Sequence, residues 1–160
     1  MQAQVQMGKK TYINVDENDP LIKEFKDAMN ASPRKDFIMD MSVGFVYVDP
    51  YISVTKVVRV RKANSTEKMY GSVDFIVEVS LKKFERLNNV ERQYWLSVIC
   101  EKMDFSVDKE GNKKPKIRKP DMAFFSQLEE QFGENIRKSV SEQNYNYFGG
   151  EKDDAYNVEF

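Results

Sequence analysis

The sequence predicts an α+β fold: a three- to four-stranded antiparallel meander packed by an N-terminal helix and two C-terminal helices. Two observations carry this expectation. Between Phe37 and Leu81, apolar and polar residues alternate in three runs divided by turn-forming residues, the period of half-buried strands. On either side, apolar residues recur at helical spacing behind start signals, as amphipathic helices require.

In chain order, residues 1–10 read as an arm, and Thr11 to Val15 as a short strand. Asp19-Pro20 supplies an N-cap and a proline suited to the first helical position. Leu21, Ile22, Phe25, Ala28 and Met29 then form one stripe, and Ala31-Ser32-Pro33 stops the helix. In the first strand, Phe37 to Val48, the residues Phe37, Met39, Met41, Val43, Phe45 and Tyr47 share a face, opposite Asp40, Ser42 and Gly44. After a turn at Asp49-Pro50, a second strand runs from Tyr51 to Lys62, with Thr55, Arg59 and Arg61 on its polar side. A third, Tyr70 to Leu81, sets Val73, Phe75, Val77 and Val79 against Ser72, Asp74, Glu78 and Ser80. The alternation implies one face for helices and one for water.

Asn88 with Glu91 resembles a capping box, ahead of an inward face of Tyr94, Trp95, Val98, Ile99 and Met103. Residues 105–120 read as a basic loop, with a hairpin around Glu110-Gly111-Asn112. Asp121 restarts a helix that carries Phe124, Phe125, Leu128, Phe132, Ile136 and Val140. This organisation gives one α+β domain over 1–150 and an acidic C-terminal tail over 151–160.

The bulk numbers narrow the function classes. The 160 residues are 41% hydrophobic and 32% charged, with a net charge of −1, which is not the basic footprint of a dedicated duplex-DNA binder. A single cysteine, Cys100, forms no internal disulfide and fits a reducing compartment. No run reaches the ~20 apolar residues of a membrane helix, and the start lacks the apolar segment of a secretory signal, so a cytoplasmic protein is expected. Histidine is absent, which removes histidine-dependent hydrolases and histidine-ligated zinc sites. Carboxylate–magnesium chemistry stays open, and Asp40, Asp74 and Glu78 are its candidates. Asp74 and Glu78 lie four strand residues apart, ~13 Å, too far for the two alone to hold one ion. Their simpler reading is a solvent face. Cys100 beside Val98 and Ile99 reads as a buried structural cysteine. No catalytic residue, cofactor or metal is expected.

Two surfaces suggest binding. Arg59, Arg61 and Lys62 near Tyr47 and Tyr51, extended by Lys113 and Lys114 of the basic loop, resemble the basic–aromatic grip on single-stranded nucleic acid. Charge asymmetry gives the second. Residues 105–120 carry six basic against two acidic side chains, whereas 121–160 carry nine acidic against three basic. Glu129, Glu130, Tyr145, Tyr147, Glu151, Asp153 and Asp154 there suit a basic partner protein, because opposite fields speed encounter and aromatics anchor interfaces.

The stretches Tyr47-Val48-Asp49-Pro50-Tyr51-Ile52, Val73-Asp74-Phe75-Ile76-Val77, Lys83-Phe84 and Val90-Glu91-Arg92-Gln93-Tyr94-Trp95-Leu96 resemble small bacterial immunity proteins of polymorphic-toxin and contact-dependent inhibition systems. The resemblance spans roughly 40–105. It implies a non-catalytic, single-domain inhibitor that binds a cognate toxin domain, and it assigns no site residue. A phage-encoded anti-defence inhibitor or a single-stranded nucleic-acid-binding module are the alternatives.

Overall fold

The computed structural model describes residues 4–7 and 10–133. Strands β1 (Gln4–Met7) and β2 (Lys10–Asn14) form a hairpin; helices α1 (Pro20–Ala31) and α2 (Lys35–Met39) lead to β3 (Val43–Asp49). Then come β4 (Val58–Lys62), α3 (Ser65–Gly71), β5 (Phe75–Ser80), α4 (Leu81–Glu85) and α5 (Asn89–Lys102). A second hairpin, β6 (Met103–Val107) and β7 (Lys113–Ile117), precedes α6 (Met122–Phe132). The α+β class is as expected.

The sheet is not the expected meander. Its order is β1-β2-β3-β5-β4. β3 pairs in parallel with β5, from Val43–Phe75 to Val48–Ser80, while the other neighbours are antiparallel. Burial explains why β5 takes the place between β3 and β4. Every residue of Phe-Ile-Val-Glu-Val-Ser is buried, and a strand covered on both faces belongs inside a sheet. Glu78 and Ser80, expected in water, are 4% and 0% exposed. The Ser80 hydroxyl makes its face dry: it donates to the Lys56 carbonyl and accepts from Ile52 N–H. Segment 50–57 is thereby tied to the end of β5, so only Val58–Lys62 of the expected 51–62 strand joins the sheet, while Ser53 and Lys56 form an isolated bridge.

Two further strand expectations fail at their first halves. Residues 35–39 are helical, burying Ile38 rather than Met39, and 65–71 form α3. The expected helices stand. Asp19 caps α1 by accepting from Leu21 N–H, with Pro20 behind it. Pro33 favours extended backbone in the residue before it, and Ser32 ends α1 at ψ 138°. Asn88 and Glu91 form a full capping box on α5.

The main core lies between one sheet face and helices α1 and α5. It joins Leu21, Phe25 and Ala28 to Phe45, Val58, Val60, Phe75, Val77 and Val79, and the Phe25 and Phe45 rings meet edge to face at 5.0 Å. Helix α5 is buried at every residue from Tyr94 to Lys102, more than a one-sided helix would be. α6 covers it with Phe124 and Leu128, and Phe132 meets Tyr94 edge to face. Ile136, Val140 and the 151–160 tail lie outside the described residues. Among the described residues, no helix is long and apolar enough to cross a membrane.

Candidate functional site

Helix α3 is built differently from the others. It has seven residues and none is buried. So short a helix is marginal by itself, and polar contacts hold it. Asn64 Oδ1 accepts from Glu67 N–H at 2.8 Å, and Glu67 Oε1 accepts from Asn64 N–H at 2.9 Å, a reciprocal capping box. The same carboxylate receives Arg61 Nη1 at 2.7 Å and Nη2 at 2.8 Å. Hydrogen bonding from Arg61, ahead of the Asn64 amide and the guanidinium charge, lowers the Glu67 carboxyl to about 2. The Arg61 guanidinium is held protonated above its ordinary range by the same bond. The clamp presents Met69 and Tyr70 to solvent, 72% and 83% exposed.

The sequence reading missed this element by starting a strand at Tyr70. Its signal was present: Asn64-Ser-Thr-Glu67 has the same spacing as Asn88-Asn-Val-Glu91.

Arg59 and Arg61 of the expected nucleic-acid surface share the sheet face opposite the helices. Both are engaged: Arg59 in two hydrogen bonds to Glu78, Arg61 in two to Glu67. Lys62 alternates to the other face. Lys113 and Lys114 are exposed on β7, in the separate two-stranded sheet. Lys114 lies 4.0 Å from Asp108 and Lys113 stands 5.9 Å from the Phe105 ring centre. The basic loop is therefore an ordered hairpin, anchored through Phe105 to Phe75 and Phe37, and the five candidate cations, three on β4 and two on β7, do not share one face.

The acidic candidates separate as well. Asp40 ends α2, Asp74 Oδ2 accepts from Ser42 N–H, and Glu78 holds Arg59. Among the described residues, no group of three or more His, Cys, Asp or Glu could hold a metal ion. Cys100 is fully buried, and burial, with Glu101 adding, pushes its thiol up to about 12. At the end of the same helix, Arg34 donates to the carbonyls of Cys100, Glu101 and Met103 at 2.7, 3.0 and 2.6 Å. Burial lowers the Arg34 pKa and raises that of Glu101. Of the acidic and aromatic partner candidates, Glu129 and Glu130 are exposed on α6. Tyr145, Tyr147, Glu151, Asp153 and Asp154 lie outside the described residues.

Comparison with known proteins adds no relative: no protein-family model, no curated protein and no solved structure matches the chain.

Proposed function

We propose that the protein is a non-catalytic protein-binding inhibitor, an immunity protein that binds and neutralises a cognate bacterial toxin. The observation that carries the protein-binding part is helix α3, a helix without a core face that is clamped by Arg61 and its capping box and displays Met69 and Tyr70. Methionine and aromatic side chains are enriched at protein interfaces, and a pre-ordered support reduces the entropy lost when they dock. Glu129 and Glu130 on α6 supply acidic groups suited to a basic partner. The toxin-neutralising part rests on the resemblance of 40–105 to immunity proteins.

The test is capture from a nuclease-treated lysate of the source on immobilised protein, followed by mass spectrometry. The reading expects one protein recovered in equal amount and retained in high salt, whose toxic activity falls on binding. Recovery of no protein, with nucleic acid bound in the untreated control, contradicts it.

A further inference from the structure

A cavity of about 300 Å³ opens where α1 begins, lined by Asp19, Leu21, Glu24, Tyr47, Phe84 and Glu85 among others. That volume is at the lower end for ligand pockets and suits one side chain. Its apolar lining comes from Leu21, Leu81, Phe84 and the Tyr47 ring. Its charge comes from three carboxylates and one guanidinium, Arg92, with Lys82 3.9 Å from Glu85.

Among the described residues, each carboxylate keeps an oxygen for a further donor. Asp19 takes both its bonds, from Leu21 N–H and the Tyr47 hydroxyl, on Oδ1. Glu24 receives Arg92 on Oε1, at 3.2 Å. Glu85 has its ion pair with Lys82, which is longer than a hydrogen bond. Burial and Asp19 raise the Tyr47 pKa, so its hydroxyl remains a donor and adds no charge of its own. Arg92 is already spent on Glu24, the Phe84 carbonyl and the face of the Phe84 ring, leaving the cavity with an acidic balance.

We infer that this cavity receives a basic side chain, best an arginine, projecting from the protein partner. An arginine brings the aliphatic stem that the apolar lining accommodates and a planar set of donors for the free carboxylate oxygens. The inference rests on the protein-binding reading, and it identifies the partner's contact as basic.

The test titrates N-acetyl-arginine amide into the isotopically labelled full chain and follows backbone amide shifts, with the N-acetyl-citrulline amide isostere as the uncharged control. The expected result is a saturable shift of Leu21, Glu24, Leu81 and Phe84 with arginine alone. Glu85→Lys, at an exposed position, weakens binding about tenfold or more while thermal unfolding shows the fold intact. Equal shifts with citrulline, no saturable shift at those amides, or undiminished binding by Glu85→Lys each overturn the assignment. A captured protein partner that binds Glu85→Lys as tightly as the parent also overturns it, while leaving the protein-binding reading standing.

Discussion

Arg59 on β4 and Glu78 on β5 are cross-strand partners joined by two hydrogen bonds, Nε to Oε2 at 2.8 Å and Nη2 to Oε1 at 2.7 Å. The carboxylate side chain is 5% exposed and the arginine side chain 43%. Removing the arginine leaves a buried charge that, among the described residues, keeps only Arg61 as an ion-pair partner, at 3.9 Å. Arg59→Leu is therefore expected to destabilise the fold by about 2–4 kcal/mol. The double variant Arg59→Leu with Glu78→Leu recovers much of that loss, because no buried charge remains. Urea unfolding of the three proteins decides this; a fully stable single variant contradicts it.

Arg34 closes the end of α5 with three hydrogen bonds to carbonyl groups. Arg34→Ala should cost about 2–3 kcal/mol, since bonds from a charged donor are lost at a partly buried site. Lysine restores only part, because a single ammonium does not reproduce the fork of donors. Equal stability of the lysine and arginine forms, measured by thermal unfolding, would count against this role.

Glu67 gives a pH dependence with a definite sign. Its carboxyl is at about 2 in the folded chain, against ~4.3 for an ordinary glutamate. Its contribution is complete above that ordinary value. As pH falls, the unfolded chain takes up its proton first, and the contribution is lost on the way down through about 2. Glu67→Gln should lower neutral-pH stability by about 0.5–1 kcal/mol, since the partly exposed ion pair with Arg61 is lost while glutamine keeps the capping box. Parent and variant should converge in acid. A constant gap between their stabilities across that range would refute the linkage.

Cys100 is expected to resist thiol reagents in the native protein. It is fully buried, and burial holds the thiol at about 12, so little reactive thiolate is present near neutral pH. Labelling should appear only with unfolding, at a rate that follows denaturant. Rapid stoichiometric labelling of the native protein would overturn this.

Helices α1, α5 and α6 were legible because their start signals are local. Asp19-Pro20, Asn88 with Glu91, and Asp121 each name a start, and each caps a helix here. The sheet order was not legible, because the period-two pattern of 51–62 and 70–81 fixes faces and says nothing about neighbours. Alternation also hid the burial of Glu78 and Ser80, whose cover comes from Arg59 and from segment 50–57. Met39 shows the same limit: it fits the strand pattern, yet in α2 it points to solvent and Ile38 fills the core. Of the proposed binding surface, the charges on α6 were read from composition. Met69 and Tyr70 were not, because a helix without an apolar stripe gives no periodic signal.

The most direct measurement is the affinity of the captured partner for the Met69→Ser/Tyr70→Ser protein. Neither residue supports the core, so stability should stay within about 0.5 kcal/mol of the parent. Binding should weaken about thirtyfold or more, as loss of an exposed interface anchor implies. Unchanged affinity in a folded double variant would contradict the assignment of α3 as the contact surface.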